Sequence, residues 1–263
     1  MNTTWDDLIT AAITAADTTG KPVAEVSLDA IARQAGISRA TLFRRIGTRQ
    51  ALDDAIRASG VDPGGRSDVR TRATTAAADL IEAGGLAAMT LEAVAARADC
   101  SVQALHSQLG GREGLLRATL ERFTPLPRVE AAFTKPPADL ASGARLVYGI
   151  VFDTIEERRA LLIALIAEAS TRPDGPLARY LLETYLPRVF GLLGEWLQGE
   201  MLAGRIRPMP LPVLLQFFAA PIGFHAISRP LISSARGIAP LDRNEVIELL
   251  TDAFLRAVTP DSR

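Results

Sequence analysis

The chain has very few cysteines and histidines, the residues that form disulfides and most zinc sites. Its 263 residues include one cysteine, Cys100, and two histidines, His106 and His225. A single cysteine excludes a disulfide framework and a cysteine metal cluster within one chain. Neither histidine has further metal ligands at a suitable spacing. We therefore expect no metal ion and no cofactor.

Common catalytic motifs are also missing. The sequence has no glycine-rich dinucleotide or phosphate loop, no H-E-x-x-H and no G-x-S-x-G. Cys100 takes an apolar turn position, which is typical of a core residue. Asp153, Glu156 and Glu157 are spaced as the solvated face of a helix. We predict that the protein is not an enzyme, and a helical enzyme is the less favoured alternative.

Lysine is scarce, and the chain as a whole is not basic. Only Lys21 and Lys135 are lysines among 29 basic residues, and the net charge is −1. This balance excludes a generally basic coat for nucleic acid, so any contact with DNA has to come from a local patch. Arginine suits bidentate contacts with phosphate and guanine, although biased codon usage explains the excess equally well.

Strand patterns are scarce too, because no run alternates apolar and polar residues with many Val, Thr and Tyr. Apolar residues make up 48% of the chain, and its length suits two or three compact units. We predict a nearly all-α protein. No secretory signal is visible in residues 1–7. The apolar segment 209–227 contains prolines, so we interpret it as a buried or dimer-interface helix rather than a membrane span. A cytoplasmic location is expected.

An internal repeat is the main organising feature of the first half. A shift of 63 residues places 27–35 (SLDAIARQA) on 90–98 (TLEAVAARA), and ten of the 28 positions from 28 to 55 are identical. The first copy has two extra residues in the loop at 20–26, and an insertion in a loop is expected of a duplicated domain. Chance similarity between alanine-rich helices is the alternative.

Both copies follow the same plan of short helices. A Ser or Thr suited to a helix N-cap precedes an apolar face with i, i+3, i+4, i+7 spacing. A two-residue turn, a second capped helix and a glycine stop follow. Two short helices joined by a tight turn are typical of a helix-turn-helix module. The capping and stop residues are Ser27, Ser38 and Gly47 in one copy and Thr90, Ser101 and Gly110 in the other.

The segment 35–49 (AGISRATLFRRIGTR) resembles the recognition segment of TetR-type repressors. That family has Gly, Ser, Thr and Leu at the positions of Gly36, Ser38, Thr41 and Leu42. The first copy replaces Tyr, His, Phe and Lys of the pattern with Phe43, Arg45, Ile46 and Arg49. The second copy replaces Gly, Thr, Tyr, His and Lys with Asp99, Ala104, His106, Gln108 and Arg112.

The resemblance implies an all-α TetR-type (TetR/AcrR-like) transcriptional regulator with a duplicated helix-turn-helix domain. Two tandem three-helix modules, at residues 1–58 and 69–124, are expected to flank a linker at 59–68. The linker is rich in Gly, Pro and polar residues, so we expect it to be exposed and flexible. A helical bundle for effector binding and dimerisation is expected at 125–263.

The first module is the better equipped for DNA by charge. Residues 38–49 carry four arginines and no acid, whereas 101–112 carry one arginine, and DNA affinity depends largely on neutralised phosphates. The resemblance places the start of the second short helix in the major groove, with Arg39 and Arg44 as base readers and Thr41, Arg45 and Arg49 on phosphates. A solvated arginine surface is the alternative. The DNA-binding candidates here are Ser38, Arg39, Ala40, Thr41, Phe43, Arg44, Arg45 and Arg49.

The second module has fewer charges but several polar side chains at equivalent positions. Gln103 suits adenine, and Arg66, Arg70 and Arg72 ahead of its first helix are candidates for phosphate contacts. A second module kept as a spacer or dimer contact is equally favoured. Its DNA-binding candidates are Ser101, Gln103, His106, Gln108 and Arg112.

The second half is predicted to contain helices at about 139–157, 159–171, 176–204, 211–235 and 243–258. The last two resemble the pair that forms a four-helix bundle between subunits in TetR relatives, which implies a homodimer. Candidates for an effector pocket are Tyr148, Phe152, Tyr180, Tyr185, Trp196 and Phe217, with ordinary core packing as the alternative for each.

Together these features predict a sequence-specific regulator, of the repressor kind, that binds a double-stranded DNA operator. A small apolar or aromatic effector is expected to control its affinity for DNA, and no membrane partner is expected. A DNA-binding architectural protein without a ligand is the alternative.

Overall fold

The computed structural model describes residues 4–234 and 241–260. All regular elements in these ranges are helices, which confirms the predicted all-α class. The chain divides into two compact units, residues 1–118 and residues 119–263. The first copy of the repeat and most of the second therefore lie in the first unit.

The first unit contains two successive sets of helices in the same order. A short 3₁₀ segment precedes the second helix of each set, at Val23–Glu25 and at Leu86–Ala88. The last helix of the second set continues into the second unit. The first set is α1 (Trp5–Thr19), α2 (Leu28–Gln34), α3 (Arg39–Ile46) and α4 (Arg49–Ala58), and the second is α5 (Val69–Gly84), α6 (Leu91–Arg97), α7 (Val102–Leu109) and α8 (Gly111–Phe123).

The predicted caps and stops determine where these short helices begin and end. The Ser38 hydroxyl accepts from the Thr41 amide at 3.1 Å, and Ser101 does the same for the Ala104 amide at 3.0 Å. Such caps satisfy one of the amides that a helix start leaves without a partner. Gly47 ends α3 at a φ of 70°, a conformation that glycine adopts without steric cost.

Each set closes over its own apolar core. Leu8, Ile31, Leu42, Leu52 and Ile56 are at most 1% exposed in the first set. The second set buries its core residues equally well. Those at most 1% exposed include Ala77, Ile81, Met89, Val94, Leu105 and Leu115.

The second unit is a bundle around one long helix, α10 (Leu140–Thr171), which packs against α14 (Leu211–Ser233) and α15 (Arg243–Val258). Two helices were expected where α10 runs, and the backbone does leave the helical conformation at Arg158, with φ −141° and ψ 39°. The remaining helices are α9 (Leu126–Ala132), α11 (Pro176–Tyr180), α12 (Leu186–Val189) and α13 (Glu195–Leu202).

Two π-helical turns interrupt the stretch from α11 to α13, at Leu181–Tyr185 and Phe190–Gly194. Turns of this kind are rare and are frequent at functional sites. An aromatic cluster fills the core of the unit: the Tyr148 and Phe218 rings stack at 5.0 Å, and Trp196 and Phe254 meet Phe218 edge-on at 5.6 Å and 5.0 Å.

Candidate nucleic-acid interface

Helix α3 presents a polar outer face. Leu42 and Ile46 point into the core, at 0% and 4% exposure. Most of the other predicted DNA-binding residues lie on the outside of the helix and its cap. Ser38, Ala40, Phe43 and Arg44 are exposed, and Thr41 and Arg45 are half-buried.

Arg49 is placed differently from the expectation that it holds a phosphate. Its side chain is 8% exposed, and Nε donates to Asp53 Oδ1 at 2.9 Å. The two terminal nitrogens donate to the carbonyl oxygens of Val26 and Val23. A guanidinium buried in this way stabilises the fold of the module, and its predicted phosphate contact does not fit this placement.

Arg112 has the matching role in the second copy. Its Nη2 donates to the Leu86 carbonyl at 3.2 Å, and Leu86 corresponds to Val23 in the repeat. Both arginines therefore tie the start of the last helix of a set to the 3₁₀ segment. Unlike Arg49, Arg112 is exposed, so it still presents charge to solvent.

Arg39 is also engaged, at the first position of α3. Its Nη1 donates to Asp29 Oδ2 at 3.2 Å and to the Ala96 carbonyl, and its Nη2 lies 3.4 Å from Asp99 Oδ1. Ala96 and Asp99 belong to the second copy. The side chain is 33% exposed. Its predicted role as a base reader does not fit this arrangement, because two hydrogen-bond acceptors and the ion pair with Asp99 already hold the guanidinium.

Helix α7 has one buried apolar face and one exposed polar face. Leu105 and Leu109 are buried, at 0% and 5% exposure. The polar candidates of the second module, Ser101, Gln103, His106 and Gln108, are all exposed. They are thus available to a ligand as a group, together with Arg112.

The linker is held against the first module, in contrast to the flexible tether expected. The Ala24 amide donates to the Pro63 carbonyl at 2.8 Å, and the Ser67 amide donates to Glu25 Oε1 at 2.7 Å. Arg72 Nε donates to the Ala98 carbonyl at 2.9 Å. Of the three arginines proposed for phosphates in this region, only Arg70 is fully exposed.

A groove of about 490 Å³ lies between the two copies beside the start of α3. The sequence did not indicate two of its basic residues, Arg33 and Arg97, which lie in the last turns of α2 and α6. Arg97 pairs with Asp79 at 3.0 Å. The only available signal was their position in the last helical turn, and it does not distinguish a groove residue from an ordinary surface residue.

The aromatic candidates of the second unit fall into separate groups. Tyr148 and Phe152 are buried in the core, at 1% and 3% exposure, whereas Phe217 is 43% exposed. Tyr180 donates its hydroxyl to Glu121 Oε1 at 2.8 Å. Burial raises the pKa of the Tyr185 hydroxyl. Trp196 is half-buried beside Phe133 and Phe218.

Both sets of short capped helices have the order of elements that is typical of a helix-turn-helix module. The family model for "Bacterial regulatory proteins, tetR family" matches residues 73–119, which is the second copy. No curated protein sequence matches the chain.

Solved structures extend the similarity beyond the matched module. A TetR family transcription regulator from Marinobacter aquaeolei VT8 is 25% identical, with a TM-score of 0.54 over 72% of this chain and 95% of that chain. A ketosteroid transcriptional regulator from Mycobacterium tuberculosis is 18% identical, with a TM-score of 0.53 over 75% and 98%. A protein with unknown function from Rhodococcus sp. RHA1 is 17% identical, with a TM-score of 0.58 over 76% and 100%.

Residues 73–119 thus match the DNA-binding domain of the tetR family of bacterial regulatory proteins, and the fold of the chain is similar to that of a TetR family transcription regulator. Each of these structures is covered almost completely while about a quarter of this chain is left over. A quarter of the chain is also the length of residues 1–68, which precede the matched family model.

Proposed function

We propose that this regulator contacts its operator with the outer faces of both α3 and α7. The observation that carries the proposal is the shared geometry of the two helices. Each begins at a capping serine, buries its two large apolar residues and leaves the other side chains exposed or half-buried. Exposed polar side chains at the start of such a helix are the groups that reach base edges in the major groove.

The two helices supply different chemistry to this interface. Arg44 and Arg45 on α3 suit phosphates, with Arg44 in reach of a guanine as well. Gln103 on α7 matches the hydrogen-bonding edge of adenine, and His106 and Gln108 extend the polar surface. Ser38, Ala40, Thr41, Phe43, Ser101 and Arg112 complete the proposed contact surface.

Selection of bound DNA by the intact protein, followed by binding at several salt concentrations, tests this proposal. The double variant Arg44→Ala/Arg45→Ala is expected to flatten the slope of log K against log salt by about 2, because each neutralised phosphate contributes about 0.9. Arg57→Ala, which removes an exposed arginine of α4 paired with Asp54, is the matched control. An unchanged slope in the double variant would remove α3 from the interface.

We propose that the second unit binds a small apolar or aromatic effector, and that this binding controls the affinity of a repressor for DNA. The aromatic cluster around Tyr148 and Trp196 supports this proposal, as do the π-helical turns that flank α12. A ligand that binds the folded state raises the unfolding temperature by mass action. Thermal unfolding against a set of aromatic compounds, repeated with Trp196→Ala, tests it. An architectural protein would show no such shift.

We also propose a homodimer through α14 and α15. Val213, Phe217, Phe224 and Leu231 on α14 are large, exposed and spaced along one side of the helix, and Leu249 on α15 is 54% exposed. Contiguous apolar surface of this kind marks an interaction site. Within the described residues α14 also has the length and composition of a membrane span, but pairing with a second subunit covers the same side chains in a cytoplasmic protein.

Sedimentation of the intact protein tests the dimer. Phe224→Glu, at a residue 73% exposed on α14, is expected to shift the protein to monomers, because it buries a charge in the interface. Leu202→Glu, at a residue 84% exposed on α13, is the control and should leave the dimer intact. A wild-type monomer at micromolar concentration would contradict the proposal.

A further inference from the structure

The contact between the two copies centres on one carboxylate. Asp99 lies in the turn between α6 and α7, and its side chain is 5% exposed. Its Oδ2 accepts from the Leu28 amide at 2.9 Å, at the start of α2 in the first copy. Leu28 is the first residue of its helix, so its amide has no acceptor within the helix. The second copy thus provides a hydrogen-bond acceptor that α2 itself lacks.

Three arginines surround the same carboxylate. Arg39 Nη2 lies 3.4 Å from Oδ1, and Arg49 Nη1 and Arg66 Nη2 lie 3.8 Å and 3.5 Å from Oδ2. Two of them come from the first copy and one from the linker. Arg66 also donates to the Asp99 main-chain carbonyl at 3.4 Å. Because buried charges are stable only when they are paired, the first copy and the linker depend on Asp99 for compensation.

The backbone at Asp99 favours glycine, so the turn itself does not require an aspartate side chain. Its φ is 49°, in the left-handed region, where glycine has no steric penalty. The first copy has Gly36 at the equivalent position, with a φ of 67°. A glycine at 99 therefore suits the turn of the second copy, while it lacks the carboxylate that reaches Leu28.

We propose that Asp99 is a positioning residue that fixes the first module on the second, so that α3 and α7 are held as one rigid body rather than as two tethered readers. We call the contact of Asp99 with Leu28, Arg39, Arg49 and Arg66 the joint between the two modules. The joint stands independently of which helix contacts DNA, because every group in it lies between α2, α3, α4, the linker and the α6–α7 turn.

Residue-resolved hydrogen exchange on the intact protein tests the joint. In Asp99→Gly the protection of the Leu28 amide is expected to fall by about tenfold or more, because the amide loses a charged acceptor. The Leu105 amide, in the core of the second module, should keep its protection because glycine suits the turn. Asp99→Asn retains an acceptor for Leu28 but loses the charge, so a smaller fall is expected.

Asp79→Asn is the matched control, because it breaks the ion pair with Arg97 within the second module and leaves the joint alone. Leu28 protection should be unchanged in this variant. Limited proteolysis provides a second readout: cleavage within 59–68 should become faster in Asp99→Gly and not in Asp79→Asn. Unchanged Leu28 exchange in Asp99→Gly would overturn the proposal. So would an equal loss at Leu105, since Asp99 would then serve only the fold of its own module.

Discussion

Gly36 and Asp99 occupy the same turn in the two copies of the helix-turn-helix plan, and both have a positive φ. The glycine is exposed and its turn needs nothing more than a permissive backbone. The aspartate instead has a buried carboxylate that accepts from the Leu28 amide of the other copy. Two elements with the same backbone plan therefore differ in function here, because the side chain of one turn holds the neighbouring set of helices.

The arginine at the start of the last helix of each set also has a different environment in the two copies. Arg49 and Arg112 both donate to a carbonyl of the preceding 3₁₀ segment. Arg49 is buried because Asp53 and Asp99 also pair with it, whereas Arg112 remains exposed. Equivalent positions thus have the same local hydrogen bond and different tertiary environments.

The charge that the two modules can offer to DNA differs less than their sequences indicate. The sequence assigns +4 to residues 38–49 and +1 to 101–112. Two of the four arginines, Arg39 and Arg49, are held at the joint, which leaves Arg44 and Arg45 on the outer side of α3. Counting charges along a helix therefore overstates how much of the charge of the first module can reach DNA.

Replacing the two equivalent arginines is expected to give the largest difference between the copies. Arg49→Ala removes the partner of Asp53 and one partner of Asp99, both buried, and should lower the free energy of unfolding by about 3–5 kcal/mol. Arg112→Ala removes one exposed hydrogen bond and should cost about 1 kcal/mol or less. Urea unfolding of both variants measures the two losses of unfolding free energy. Equal losses would contradict the view that only Arg49 has a buried structural role.

Base reading by Gln103 on α7 should be separable from the sequence-independent affinity that Thr41 on α3 contributes. Gln103→Ala is expected to reduce discrimination at one base pair by about 1–3 kcal/mol. Thr41→Ala should weaken all sequences alike, because phosphate contacts carry no sequence information directly. Binding to the selected DNA and to single-base variants of it measures both. The reverse pattern would exchange the roles assigned to the two helices.

The turn of the first copy should tolerate the residue of the second better than alanine. Gly36→Ala places a Cβ at a φ of 67° and should cost about 1–2 kcal/mol. Gly36→Asp should cost less, because Asp enters the left-handed region more readily, and nothing lies within 4 Å of the added Cβ. Thermal unfolding ranks the two variants. A larger loss for Asp would contradict the view that the two turns have the same backbone requirement.

The capping serines should show the smallest difference. Ser38→Ala and Ser101→Ala each remove one hydrogen bond to a helix amide and should each lower stability by about 1 kcal/mol. Measured together, the two variants test whether the local parts of the copies are still equivalent. A cost confined to one serine would indicate that its helix is held mainly by tertiary contacts.

The sequence by itself determined the features that depend on neighbours along the chain. Caps at Ser38 and Ser101, stops at Gly47 and Gly110 and the apolar spacing of each short helix were all predicted, and so was the break in α10 near Arg158. These signals are local, because a cap acts within three residues and a helical face repeats every three or four.

The tertiary structure alone decided which arginines face solvent. Arg39 meets Asp99 across 60 positions of sequence, and Ser67 meets Glu25 across 42. No pattern along the chain reports such pairs, because they depend on how one copy packs on the other. The same packing turned an expected flexible linker into an ordered, hydrogen-bonded segment. Burial is a property of the folded unit, so the outward charge of a module follows from its neighbours as well as from its composition.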